Sequence, residues 1–140
     1  MLQLEKAIEL AFKVHKNQKD RYGKPYIFHP LRVMNKMDDD KEKIVAVLHD
    51  VIEDTELTYK DLCDAGFSEE IIDAIAGISK QDGEEYFDYI NRVMQNRLAV
   101  KVKLADLEDN MDVRRIEIIT EKDKERLNKY MKAYRMIKGI

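Results

Sequence analysis

The sequence predicts an all-α single domain: apolar residues recur at steps of three and four, and no period-two run of strand length lies between turns. Its two prolines, Pro25 and Pro30, fall together in one segment and leave the other periodic stretches unbroken. A length of 140 residues allows one hydrophobic core and no second catalytic module. With 38% charged residues, 44% hydrophobic residues, 5 Gly and no Trp, the composition excludes collagen-like, disulfide-scaffold and Pro/Gly-rich disordered classes. The 25 Lys+Arg against 28 Asp+Glu give a formal charge of −3, so no overall positive field collects nucleic acid or anionic lipid. Any phosphorylated ligand must be held by local charges or by a metal. Cys63 is the only cysteine, which rules out an intramolecular disulfide and leads us to expect a reducing, cytoplasmic setting. Glu5, Lys6 and Glu9 interrupt any signal-like apolar stretch, and no membrane span or anchor is expected.

The first helix is expected over about residues 3 to 18, with Leu4, Ile8, Ala11, Phe12 and His15 on its apolar stripe. Gly23, Pro25 and Pro30 force a loop over residues 19 to 30, and Pro30 suits the first turn of a short helix through Met37. Asp38, Asp39 and Asp40 can cap a third helix that starts near Lys41 and runs unbroken through KEKIVAVLHDVIED. Thr58 and Asp61 form a capping-box pattern, Gly66 ends that helix, and Ser68 caps the next, which buries Ile71, Ile72, Ile75 and Ile78. Further helices are expected over residues 84 to 94, from Arg97 to about Met111 under an Asn96 cap, and over about residues 121 to 138.

Chemistry enters where polar residues interrupt apolar faces. His49 and Asp50 sit inside IVAVLHDVI, where an unpaired carboxylate would be costly to desolvate. In a continuous helix, His49 and Glu53 share one stripe and Asp50 and Asp54 the next, so four polar groups gather at the helix end. Asp106 is a second intrusion, on the inward stripe of Val102 and Asn110. Each has a plain alternative: a satisfied core histidine with a capping aspartate, and a salt bridge from Asp106 to Lys103 or an arginine. A divalent cation would satisfy Asp50 and Asp106 together. His29, before Pro30, is ambiguous alone and becomes notable as a second imidazole. His15 reads as helix packing, the tyrosines and methionines as core filling, and the charged run EKDKERLNK from Glu121 as a solvated face.

These residues resemble the HD-domain metal-dependent phosphohydrolases, and among them the RelA/SpoT-type hydrolase domains and small alarmone hydrolases. Gly23-Lys24-Pro25-Tyr26-Ile27-Phe28-His29-Pro30 resembles the G-x-P-Y-I-x-H-P segment of that family. Leu48-His49-Asp50-Val51-Ile52-Glu53-Asp54-Thr55 resembles its H-D-x-x-E-D-T segment, and Lys103-Leu104-Ala105-Asp106 with Asn110 its K-x-A-D-x-x-x-N segment. Ala11 to Gln18 is weakly similar to its first helix. The resemblance implies one HD-type hydrolase domain over residues 1 to 140, an all-α helical bundle. It implies that His29, His49, Asp50 and Asp106 hold one divalent metal ion, Mn2+, and that Glu53 and Asp54 are the catalytic pair acting on a metal-activated water. Arg21, Lys24, Lys103 and Asn110 would bind substrate. The implied activity is guanosine-3′,5′-bis(diphosphate) 3′-pyrophosphohydrolysis. Alternatives are hydrolysis of a dNTP, a cyclic nucleotide or NADPH, and a non-catalytic metal- or nucleotide-binding regulatory module. The expected partner is a small nucleotide, with no nucleic acid and no membrane; oligomeric state is left open. Two departures from the family pattern bear on substrate: Asp20 stands where a basic pair precedes the first segment, and Asp112 where an arginine follows Asn110. Lys24, Lys80, Lys103 or Arg114 would have to compensate.

Overall fold

The computed structural model describes residues 2–140. Nine α-helices follow one another among the described residues: α1 (Gln3–Val14), α2 (Phe28–Asn35), α3 (Asp40–Leu48), α4 (Val51–Asp54), α5 (Tyr59–Asp64), α6 (Glu69–Ile78), α7 (Tyr86–Val93), α8 (Arg97–Asn110) and α9 (Glu121–Lys138). A 3-10 turn at Val113–Arg115 joins the last two. The all-α expectation is borne out. No helix among the described residues is long and apolar enough to cross a membrane.

The core is built around α3. Ile44, Val45, Ala46, Val47 and Leu48 are consecutive and all buried, so this helix has no solvent face over its second half. Fully burying each of the larger side chains contributes about 1.5–3 kcal/mol. Helices α1, α2, α6 and α8 pack around it. The cost of sinking the helix is met at its start by a complete capping box, in which Asp39 accepts from the Glu42 amide and Glu42 accepts from the Asp39 amide.

Two further capping boxes match the sequence reading or extend it. Thr58 and Asp61 cap α5 reciprocally, and Thr120 and Asp123 do the same for α9. Gly66, at φ +91°, then reverses the chain after α5 while the Phe67 amide donates to the Leu62 carbonyl. Asp123 is buried in this arrangement, an exception to the solvated face expected for that run. Thr120→Ala should therefore cost about 1 kcal/mol, read as a shift in urea midpoint with unchanged slope.

Three boundaries differ from expectation. Helix α1 stops at Val14, because the chain turns at Asn17 (φ 69°) and the Gln18 amide bonds back to the His15 carbonyl. Residues 18–26 form a small hairpin-like loop: Tyr26 donates its amide to Gln18, Asp20 donates to Lys24, and Lys19 and Pro25 make an isolated antiparallel bridge. The expected unbroken third helix is interrupted at His49 and Asp50, and Val51–Asp54 form a separate turn. The cause is local. The His49 imidazole takes the Ala46 carbonyl at 2.6 Å, and the His49 amide reaches that same oxygen only at 3.4 Å.

Candidate metal-dependent hydrolase site

The site lies where α2, the α3–α4 junction and α8 meet. Pro30 occupies the first turn of α2, where a missing amide hydrogen is harmless, and it holds His29 one residue inside the helix start. The interruption after Leu48 brings His49 and Asp50 to the same point. Asp106 arrives from the third turn of α8, a helix whose inward face also carries Lys103 and Asp109.

His49 Nδ1 faces a backbone carbonyl, which can only accept, so this nitrogen carries the hydrogen. Its Nε2 therefore points to the centre, 3.2 Å from Asp106 Oδ1 and 3.1 Å from Asp50 Oδ2. His29 is set in the same way by a different partner. Its Nδ1 donates to Asp109 Oδ2 at 2.6 Å, and its Nε2 lies 2.8 Å from Asp106 Oδ1 and 3.6 Å from Asp50 Oδ2. Ligand atoms of His29, His49 and Asp50 all fall within 4.8 Å of one another, a grouping that could hold a metal ion. Asp106 touches both imidazoles of that group.

The charges respond to this crowding. Burial alone would lower the pKa of His29, but hydrogen bonds to Asp106 and Asp109 outweigh it and raise it to about 9. Burial opposes the His49 charge as well, and the neighbouring Asp50 and Asp106 raise its pKa overall. Asp50 would be pushed up by burial; the facing His49 and His29 instead bring it to about 2. Asp106 is held well below the usual carboxylate range against its burial, chiefly by the Lys103 ammonium and the two imidazoles.

Asp106 also satisfies the plain alternative. Its Oδ2 accepts from the buried Lys103 Nζ at 2.9 Å, while Asn110 Nδ2 donates to Oδ1 at 3.1 Å. Salt bridge and central position coexist because each oxygen serves a different side. Glu53 and Asp54 stand on α4 at the rim. Burial, then the Asp50 charge, raises the pKa of Asp54; burial also raises that of Glu53, against the hydrogen bond from the Lys80 amide to Glu53 Oε1. Gln18 Nε2 donates to the Asp54 carbonyl at 3.0 Å, and His15 Nδ1 pairs with Gln18 Oε1 at 3.0 Å. His15, buried and set against the Tyr26 ring, lies next to the site and outside the central group.

A cavity of about 560 Å³ opens over these groups, lined by Asp50, Glu53, Asp54, Asp106 and Asn110 on one side and by cationic side chains including Arg21, Arg32, Lys80, Lys103 and Arg115. Arg21 is shared with an outer groove, where Lys24 lies. Thus Arg21, Lys103 and Asn110 border the main cavity and Lys24 does not. The two acidic departures are both engaged locally. Asp20 Oδ1 accepts from the Tyr22 and Lys24 amides, and Asp112 receives Arg114 through two bonds of 2.9 and 2.7 Å. Arg114 is thereby occupied at the surface and does not line the cavity.

Several groups escaped the sequence reading. Tyr26 donates its hydroxyl to Asp50 Oδ2 at 2.5 Å. Asp109 is gripped by Arg32 through two bonds of 2.8 and 3.1 Å and faces Arg115 at 3.5 Å. Spacing could have found these: Asp109 follows Asp106 by three residues and Arg32 follows His29 by three, each one helical turn along the same face.

No family model matches the chain. Curated proteins do. The chain is 32% identical over 121 residues to guanosine-3′,5′-bis(diphosphate) 3′-pyrophosphohydrolase of Aquifex aeolicus, covering 78% of this chain and 17% of that protein. It is 33% identical over 123 residues to the bifunctional (p)ppGpp synthase/hydrolase SpoT of Escherichia coli, covering 77% and 17%. The chain therefore spans about a sixth of the length of these relatives. A solved structure described as a metazoan ortholog of SpoT that hydrolyses ppGpp superposes with a TM-score of 0.78 at 20% identity, over 98% of this chain and 85% of that one, and establishes the shared fold. With the motif residues gathered at one site and the matches running over most of the chain, the protein belongs to the HD-type hydrolase domains of the RelA/SpoT family.

Proposed function

We propose that this chain is a metal-dependent nucleotide phosphohydrolase that removes the 3′-pyrophosphate of guanosine-3′,5′-bis(diphosphate). The observation that carries the reading is the grouping of the His29 and His49 imidazoles with Asp50, with Asp106 touching both imidazoles, beside a cavity large enough for a nucleotide. The donor set fits a divalent ion. Both Nδ1 atoms are taken up by acceptors, so each Nε2 can offer a lone pair, and the mixed nitrogen and oxygen donors suit a six-coordinate cation with positions left over. His29, His49, Asp50 and Asp106 would hold it, and we propose Mn2+. When bound, such an ion neutralises charge on the phosphate oxygens and makes a water acidic enough to attack at neutral pH.

The chain's own residues do the rest. Glu53 and Asp54, whose pKa values are raised by burial, take a proton from the attacking water and return one to the departing oxygen. The water oxygen bonds to phosphorus, the phosphorus–O3′ bond breaks, and O3′ leaves with a proton as pyrophosphate is released. Tyr26 orients Asp50, and its own pKa is raised by burial and the Asp50 charge, so it remains a donor. Arg21, Asn110 and Arg115 border the cavity where the nucleotide would lie, and a cytoplasmic setting suits this substrate.

Purified protein supplied with Mn2+ should release pyrophosphate from guanosine-3′,5′-bis(diphosphate) and leave GDP. Running a dNTP, a cyclic nucleotide and NADPH beside it tests the other substrates. Normal metal uptake with every nucleotide untouched would support a binding module and end the enzymatic reading. Asp109 gives a separate check, since a carboxylate behind a ligating imidazole fixes its orientation and basicity. Asp109→Ala should weaken Mn2+ binding by about tenfold to a hundredfold in a calorimetric titration.

A further inference from the structure

One corner of the cavity is not used by the chemistry above. There, Lys129 Nζ lies 4.6 Å from the centre of the Tyr86 ring and 5.5 Å from that of Tyr130. The Tyr86 hydroxyl oxygen is buried and has no hydrogen-bond partner among the described residues. Tyr86, Lys129 and Lys80 all line the cavity. The Tyr86 ring meets the Tyr89 ring at 5.9 Å, and Lys103 Nζ sits 5.1 Å over Tyr89, so this corner adjoins the Asp106 side of the centre.

Resting on the hydrolase reading, we propose that Lys129 and Tyr86 form a subsite for the terminal phosphate of the pyrophosphoryl group, making the site selective for a pyrophosphate over a single phosphate. A buried hydroxyl without a partner is costly unless an acceptor arrives. Burial and the Asp106 and Glu53 charges raise the Tyr86 pKa to about 12, against the opposing charge of Lys103, so it arrives as a donor. Lys129 comes from α9, in the run that the sequence suggested was only a solvated face, and its pKa is lowered by burial and then by Lys103, Arg126 and Lys80. Lys129 and Lys80, both on the cavity lining, are the cations that a second phosphate would meet there. The inner phosphate belongs over the metal ligands, and a neighbouring anchor gives the outer one its own place.

The test measures binding of inorganic pyrophosphate and of inorganic phosphate to the Mn2+-supplied full chain by calorimetry at fixed free metal. Lys129→Ala should weaken pyrophosphate about tenfold, and Tyr86→Phe about fivefold, while phosphate affinity stays within twofold. Lys129→Arg should restore most of the difference. Tyr86→Phe keeps the ring and its packing, which separates loss of the hydroxyl from loss of structure. Unchanged pyrophosphate affinity in both variants, or equal losses for both anions, overturns the subsite. A parent protein that leaves guanosine-3′,5′-bis(diphosphate) intact yet shows the Lys129-dependent pyrophosphate preference overturns the reaction and supports the subsite.

Discussion

Glu53→Gln and Asp54→Asn are each expected to lower the rate of nucleotide hydrolysis by about a hundredfold to ten-thousandfold while Mn2+ affinity changes little. Both side chains stand on α4, outside the group formed by His29, His49 and Asp50. Their raised pKa values come first from burial, which makes each a better proton acceptor than an ordinary carboxylate. Glutamine keeps an oxygen for the Lys80 amide, so the Glu53 variant preserves the local hydrogen bond and loses only the proton-carrying group. Single-turnover hydrolysis beside a metal titration of the same preparation provides the check. Wild-type rates in both variants would assign proton transfer elsewhere.

Asp106→Ala should be the most damaging change to stability, costing about 3–5 kcal/mol in metal-free protein and abolishing tight metal binding. The argument starts from Lys103. The residue is 8% exposed, and its carboxylate partner is Asp106, at 2.9 Å. Removing the acid leaves a buried charge without its ion-pair partner beside the Tyr89 ring, and it also deprives both imidazoles and Asn110 of their common acceptor. Urea unfolding in the presence of chelator gives the stability term; repeating it with Mn2+ should stabilise the parent by linkage and leave the variant unmoved. An unchanged urea midpoint would mean that Lys103 sheds its proton and that the pair holds little of the fold.

The sequence carried most of the helices because their punctuation is chemical and local. Asp39, Thr58, Ser68 and Asn96 each cap the helix that follows, and the last helix spans Glu121–Lys138 as the periodicity predicts. The interruption at His49 was hidden because its cause is one imidazole choosing the Ala46 carbonyl, which no apolar spacing records. At the site, the motifs named His29, His49, Asp50 and Asp106; ligand atoms of the first three fall within 4.8 Å of one another, and Asp106 contacts both imidazoles. Asp109 went unread because an acid near the end of a helix looks like surface until its partners are known. Those partners, Arg32 and Arg115, come from separate stretches of chain. Lys129 was read as solvent-facing for the same reason: only the packing of α7 against α9 reveals that it faces Tyr86.

The two imidazoles owe their tautomers to different sources. For His49 the acceptor is three residues earlier on its own helix, so a chain that has formed only that segment already presents the correct nitrogen. His29 depends on a residue 80 positions away and acquires its orientation only once α8 has docked. Ion capture in a half-assembled chain would thus begin with one ready arm, and the second would close as the late helix arrives, tying cation retention to completion of the fold.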